Sequence, residues 1–407
     1  MGYLATEHKT FVHHIALDPS GSLLASCSSD KSVEVFYRHH SPGGGDAWQL
    51  GCTIADHSGP VLRLTWCQHR EHGPLLATAG ADRWIYVYRI AVSSHKGNPV
   101  VRSIRWLPVR GYEKDAITDV AFVPPQQYQV LLLSTASLDG CVRVYEVHQP
   151  LQFPCICKII PEAGGSAAEV GGVAARRESP TTILRASDGV SGASTSSQQA
   201  EIPTSTVGRP PGVTSMIRSA ASPLSPASPV SPTFSSGCET VLGGPAQRGS
   251  GISSIAWFPS ATESTMTLAV GAVSGRFYMY RYLKESTSFE SIALPPNVAC
   301  QSPIEGLQWA PPLGRRFQLI AICSRTSVLI LRMNTVSPSY EAVDKLSFEL
   351  YKHPTGAVSA SWSRSATLLH LVTDDQKTEM FVLQMCDPTN HQSWELVSSH
   401  HAELTRF

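Results

Sequence analysis

One phrase returns six times along this chain, and both halves of it alternate at period two. The openings are Val12-His-His-Ile-Ala-Leu, Val61-Leu-Arg-Leu-Thr-Trp, Ile117-Thr-Asp-Val-Ala-Phe, Ile252-Ser-Ser-Ile-Ala-Trp, Ile304-Glu-Gly-Leu-Gln-Trp and Val358-Ser-Ala-Ser-Trp. The closings are Val33-Glu-Val-Phe-Tyr, Ile85-Tyr-Val-Tyr, Val142-Arg-Val-Tyr, Phe277-Tyr-Met-Tyr, Val328-Leu-Ile-Leu and Met380-Phe-Val-Leu. A small-residue run, often ending in a turn Asp, separates the two halves. Period-two alternation means strands, and a return every fifty residues or so, roughly, means an array of like units. Each unit has room for four short strands. Such sheets set around a ring make a β-propeller, so the expected fold is all-β with six blades.

Bulk composition removes several function classes. Lysine plus arginine equals aspartate plus glutamate at 32 each, so the net charge is zero. A nucleic-acid protein normally shows a basic face or a domain pI above about 9, and no direct nucleic-acid partner is expected. No run approaches the roughly eighteen apolar residues that cross a bilayer, so no membrane insertion is expected either. The start, Met1-Gly-Tyr-Leu-Ala-Thr-Glu-His-Lys, lacks the pattern of a secretory signal, and a cytosolic or nuclear chain is expected. Gly2 with Thr6 fits the loose myristoylation pattern, but these residues read as the approach to the first strand.

Ten cysteines in such a compartment should be reduced thiols. Cys27, Cys67, Cys141 and Cys323 sit in or beside apolar strands, where a free thiol acts as a small hydrophobe. Cys155 and Cys157 are the one tight pair, and no second pair or spaced histidine pair completes a zinc set. Neither a metal nor a cofactor is expected.

Aspartates set the register of the first three units, which resemble repeats of the WD40 type. Asp30, Asp82 and Asp139 each precede by six positions the aromatic that closes the unit, Phe36, Tyr88 and Tyr145. An Asp in a tight turn accepts local backbone N–H bonds and can orient a histidine from the preceding loop. The second unit supplies one in Asp56-His57-Ser-Gly, so His57 and Asp82 are expected to form a structural pair. A catalytic triad would need an exposed nucleophile beside an oxyanion hole, and no nucleophile elbow is present. The chain is not expected to be an enzyme.

Units four to six lose the aspartate signature, with Ser274-Gly275 and Arg325-Thr326 at the turn and Asp374-Asp375 in a looser frame. Their alternation persists, so sheet packing should hold them. Between units three and four the composition changes to Ser, Ala, Gly, Pro and Thr. Residues 1–160 are therefore assigned to blades 1–3 and the start of blade 4, 161–250 to a disordered insertion, and 251–407 to blades 4–6. The insertion carries Ser222-Pro-Leu-Ser-Pro-Ala-Ser-Pro-Val-Ser-Pro232. Ser222, Ser225, Ser228 and Ser231 are candidate sites for proline-directed phosphorylation, and the PxxP spacing suits a polyproline reader.

The wording of several blades is more specific than the fold. Ala55-Asp-His-Ser-Gly-Pro-Val-Leu-Arg-Leu-Thr-Trp66 and Leu75-Leu-Ala-Thr-Ala-Gly-Ala-Asp82 resemble the second blade of the nucleoporin family homologous to the COPII coat propeller. Lys9 to Tyr37, Ile117-Thr-Asp-Val-Ala-Phe-Val-Pro124 and Ser137-Leu-Asp-Gly-Cys-Val-Arg-Val-Tyr-Glu146 are similar to further blades. So is Ala310-Pro-Pro-Leu-Gly-Arg-Arg-Phe-Gln-Leu-Ile-Ala321. The sixth unit, Thr373-Asp-Asp-Gln-Lys-Thr-Glu-Met, departs from the family by lacking its glycine turn.

The resemblance implies a scaffold subunit of the Y-shaped nuclear pore complex at the nuclear envelope, serving protein import and mRNA export. It implies an open propeller that receives a further blade in trans from an α-solenoid nucleoporin. A second pool in the SEA/GATOR nutrient-signalling complex, cytoplasmic or at the vacuolar or lysosomal membrane, is also implied. The short ends beyond the first and last units leave little chain for a seventh blade, and an open ring exposes sheet edges. The alternatives are a COPII-type vesicle coat propeller and a peptide-reading WD40 adaptor.

Overall fold

The computed structural model describes residues 4–161 and 251–401, apart from 41–45, 70–71, 96–97, 125–130, 148–153, 260–265, 284–287, 314–316, 335–346, 355, 374–378 and 387–392. The insertion, with Ser222, Ser225, Ser228 and Ser231, lies outside the described residues, as do Asp374 and Asp375.

The described residues fold as a six-bladed β-propeller without a helix, each blade a four-stranded antiparallel sheet. Blade 1 comprises β1 (Val12–Leu17), β2 (Leu23–Ser28), β3 (Val33–His40) and β4 (Asp46–Ile54). Blade 2 comprises β5 (Val61–His69), β6 (Gly73–Gly80), β7 (Trp84–His95) and β8 (Asn98–Arg110). Blade 3 comprises β9 (Ile117–Phe122), β10 (Leu131–Ser137), β11 (Val142–Val147) and β12 (Cys155–Ile159). Blade 4 comprises β13 (Ile252–Trp257), β14 (Met266–Ala272), β15 (Phe277–Leu283) and β16 (Ser288–Ser291). Blade 5 comprises β17 (Ile304–Trp309), β18 (Phe317–Ser324), β19 (Ser327–Asn334) and β20 (Ser347–His353). Blade 6 comprises β21 (Ser359–Trp362), β22 (Leu368–Val372), β23 (Glu379–Met385) and β24 (Trp394–His401).

The repeated phrases are the first and third strands of each blade. Residues up to 160 were expected to include the start of blade 4; Cys155–Ile159, within that stretch, pairs antiparallel with β11 as the outer strand of blade 3. Its alternation faces a strand already in place, and Cys157 and Ile159 bury into the core that blade 3 shares with blade 4. That shared core spans the insertion, and the described residues on both sides belong to one compact unit.

Alternation gives the sheets two faces, and where successive blades meet, their facing sides bury against each other. Five separate cores result among the described residues. One lies between each successive pair of blades from 1 and 2 through to 5 and 6. The buried cysteines join these cores as small apolar groups; burial pushes the thiols of Cys27 and Cys323 up to about 12 and that of Cys67 to about 11.

Candidate functional site

In blades 2 to 5 three residues of the innermost strand bury against the preceding blade. In blade 2 they are Val61, Leu64 and Trp66, in blade 3 Ile117, Val120 and Phe122. In blade 4 they are Ile252, Ile255 and Trp257, and in blade 5 Ile304, Leu307 and Trp309. The counterparts in blade 1 are Val12, Ile15 and Leu17. Here Ile15 is 50% exposed, Leu17 55% and the adjacent Phe11 71%. Among the described residues no core joins blade 1 to blade 6, so the ring has a seam.

The other wall of the seam belongs to blade 6. Leu369 and Leu371 point into the core shared with blade 5. Alternation therefore turns Leu368, His370 and Val372 toward the seam, where they are half-buried. Register makes His370, opposite Ser361, the counterpart of Ala25, Ala77, Ser134, Ala269 and Ala321. At the five closed junctions that position is small. At the seam it is an imidazole.

The seam thus presents two sheet faces with apolar side chains half in water. Exposed apolar surface of this kind marks an interaction site. Covering a side chain such as Ile15 or Leu17 completely is worth roughly 1.5–3 kcal/mol relative to leaving it exposed.

The aspartates expected from sequence sit in turns at the far end of the small-residue strands. His57 Nδ1 lies 2.9 Å from Asp82 Oδ2, and because a carboxylate only accepts, that ring nitrogen carries the hydrogen. His57 Nε2 meets the Thr78 hydroxyl at 2.9 Å, and the Tyr86 ring packs edge-on at 4.6 Å. Asp82 also accepts from the Ser58 and Trp84 backbone N–H groups. Burial alone would raise the Asp82 carboxyl, but the His57 hydrogen bond and charge with the two backbone donors hold it below its usual range.

Asp30 has a histidine too, one that the sequence reading passed over. His8 Nδ1 is 3.3 Å from Asp30 Oδ2, and its Nε2 is 2.8 Å from the Ser26 hydroxyl. Glu34, buried on the neighbouring strand, lies 3.8 Å from the same ring. Blade 3 rearranges these charges. Glu113 occupies the histidine position, accepting from the Thr135 and Tyr145 hydroxyls at 2.6 and 2.7 Å. Arg143 takes the place of Glu34 and grips Asp139 with two bonds, at 3.1 and 2.7 Å. Asp30, His57, Asp82 and Asp139 therefore lie within three separate blades and are not brought together into one site.

A central cavity of about 320 Å³ is lined by the innermost strands of all six blades. Arg63 crosses it from blade 2, donating to the Glu305 carbonyl of blade 5 at 3.1 Å, with Asp119 of blade 3 at 3.9 Å. Asp119 in turn accepts from the Ile255 N–H and Ser254 hydroxyl of blade 4 at 2.9 and 3.0 Å. The hub couples four blades through charge and backbone. His14 beside it is pushed down to about 3, by burial and then by the Arg63 charge.

Comparison with known proteins agrees with this architecture. The family model of the WD domain, G-beta repeat matches residues 3–36 and 107–146. The chain is similar to nucleoporin SEH1 of Homo sapiens, 36% identical over 146 residues, which is 35% of this chain and 38% of that protein. Nucleoporin SEH1 of Danio rerio is 34% identical over 145 residues, with the same shares, and that of Xenopus tropicalis 35% over 146. The alignments thus span well under half the length of these relatives.

Proposed function

We propose that this chain is a scaffold propeller of the nuclear pore coat, and that its seam is filled by a blade from a partner. The observation carrying the proposal is the exposure of Ile15 and Leu17 at positions that blades 2 to 5 bury. The two half-exposed sheet faces of the seam give an incoming blade an apolar core to pack against. The partner is an α-solenoid nucleoporin of the Y-shaped complex, and the location is the nuclear envelope. A second pool acts in the SEA/GATOR nutrient-signalling complex. The role is structural: the chain positions other proteins and catalyses nothing. Similarity to nucleoporin SEH1 supports this reading over a vesicle-coat role.

The insertion at 161–250 is a tether between blades 3 and 4, modified at Ser222, Ser225, Ser228 and Ser231. Asp30, His57, Asp82 and Asp139 hold turns and bind no ligand.

The test is a fluorescent fusion together with purification of its stable complex. A nuclear rim and stoichiometric recovery of an α-solenoid subunit are expected. Accumulation at sites of vesicle budding from the endoplasmic reticulum would point to the coat role instead.

A further inference from the structure

We propose that the outer strand of blade 2, β8, is a second docking edge, and that it takes an acidic extended peptide segment of a partner as an added strand. In a chain of zero net charge, residues 83–112 hold six basic side chains and no acidic one: Arg83, Arg89, Lys96, Arg102, Arg105 and Arg110. Arg89, Arg102, Arg105 and Arg110 fall on the longest hairpin among the described residues, and Arg83 immediately precedes it. β7 has 12 residues and β8 has 13, paired from Trp84 and Arg110 to His95 and Asn98. β8 ends its sheet, so among the described residues one row of its backbone groups has no strand beside it.

The two faces of this ribbon differ. On the blade 1 side β4 lies against it so closely that a methyl group on Gly51 would come within 2.6 Å of Val101 Cβ. On the other side the outer strand of blade 3 has only five residues. There Arg89 pairs across the ribbon with Ile104, and Ala91 with Arg102. Ile104 is 49% exposed, and Arg89 and Arg102 are exposed with no ion pair among the described residues. Arg105, on the opposite face, is already engaged with Asp56 at 3.3 Å.

Two unpaired guanidinium groups flanking an exposed isoleucine beside a free strand edge match one kind of occupant. Backbone bonds supply the affinity, alternating acidic side chains meet Arg89 and Arg102, and an apolar residue covers Ile104. A single-stranded nucleic acid would want exposed rings for base stacking. Among the ribbon's described side chains the rings are instead committed, Trp84 stacking on Tyr86 and Tyr86 on Tyr88 within the core between blades 1 and 2.

The experiment uses the full chain with fluorescein-labelled peptides of about twelve residues, alternating Glu with Val, Lys with Val, or Glu with Pro, read by anisotropy at physiological salt. A poly-uridine RNA and phosphatidylserine vesicles are run in parallel. Only the Glu-Val peptide should saturate, since the Glu-Pro peptide has the charge but cannot join a sheet. The pair R89E and R102E should weaken it by about tenfold or more, and I104D should do likewise. Hydrogen exchange should slow within 98–105. The proposal is overturned if the Glu-Pro peptide binds equally, if RNA or vesicles bind in preference, if no peptide binds, or if protection maps to the seam. Circular dichroism of each variant separates lost binding from lost folding. A variant that fails to fold is replaced by Arg102→Gln, which should weaken binding by a smaller factor; unchanged binding by that variant also overturns the proposal.

Discussion

The indole N–H of Trp362 in blade 6 donates to the carbonyl of Gln308 in blade 5 across 3.0 Å. The same bond runs from Trp309 to Ala256 and from Trp66 to Ala16. At the junction of blades 3 and 4 a hydroxyl intervenes: Trp257 donates to Ser134 Oγ, which donates to the Ala121 carbonyl. All four end on the residue just before the last position of the innermost strand, so the indole fixes how one blade lies on the next. Phe122 in blade 3 fills the same place by packing alone.

Replacing Trp309 by Phe keeps an aromatic ring in the core but removes the indole donor to the Ala256 carbonyl and part of the side-chain volume. The cost should be about 1–3 kcal/mol. A urea denaturation series reads it directly, and a midpoint equal to that of the parent chain would show that the indole bond contributes nothing.

Asp82 should make stability acid-sensitive at low pH. Its folded carboxyl titrates below the usual value, despite burial, because of His57 and the backbone donors. A depressed carboxylate stabilises above its unfolded pKa of about 3.9, and that contribution fades as pH falls through the lower folded value. Asp82→Asn should therefore cost stability at neutral pH and cost progressively less below about pH 4. A constant difference across that range would deny the carboxylate its role, and so would an unchanged midpoint for both Asp82→Asn and His57→Ala.

His14 opens a separate window at higher pH. Buried beside Arg63, its ring titrates at about 3 in the folded chain, against about 6.5 when unfolded. Unfolding thus takes up a proton between those values, and stability falls on acidification by at most about 1.4 kcal/mol per pH unit. His14→Gln should flatten the stability profile between about pH 6 and 4. An unaltered slope in denaturation midpoints over that interval would rule the group out.

Lys31 follows Asp30 in the turn with φ of 72°, a left-handed conformation that costs an ordinary side chain about 1–2 kcal/mol. Blades 3 and 4 place Gly140 and Gly275 at the matching position, with φ of 81° and 82°. Lys31→Gly should raise the thermal midpoint by a few degrees, roughly, after the entropic cost of glycine. A lower midpoint would mean that the lysine side chain holds the turn.

The first and third strands of every blade were legible because their apolar residues recur at period two. The outer strands were not, since they carry mixed side chains such as Asp46–Ile54 and vary from 4 to 13 residues. Nothing local says to which sheet an outer strand such as Cys155–Ile159 belongs. His8 escaped because it precedes Asp30 by 22 positions where His57 precedes Asp82 by 25. The longer strands β5 and β6 account for the difference. Glu113 escaped because its charge is reversed. The exchange of a small residue for His370 becomes visible only once register aligns six strands.

The insertion should be dispensable for folding. Blades 3 and 4 are joined directly, by a shared core and by the Thr118 hydroxyl donating to the Ile252 carbonyl at 2.7 Å. Loop closure grows only logarithmically with length, so deleting 162–248 should leave the thermal midpoint within a few degrees, roughly. Loss of soluble protein on deletion would assign the segment a structural part.

The seam yields the prediction that bears most on function. Leu17→Asp and Ile15→Asp add charge to a face already half in water, so the isolated chain should lose little stability. They should nonetheless abolish the complex with an α-solenoid partner, because burial would then strand a carboxylate in an apolar contact. His370→Ala should behave differently. It restores at the seam the small residue found at the closed junctions, leaving the fold intact while changing partner affinity by about tenfold in either direction. Hydrogen exchange on the complex supplies the decisive map: protection should gather in β1 and in β22 to β24. Protection confined to loops of the middle blades, or full binding by Leu17→Asp, would mean that the partner does not enter the ring, and a peptide-reading adaptor would become the better account.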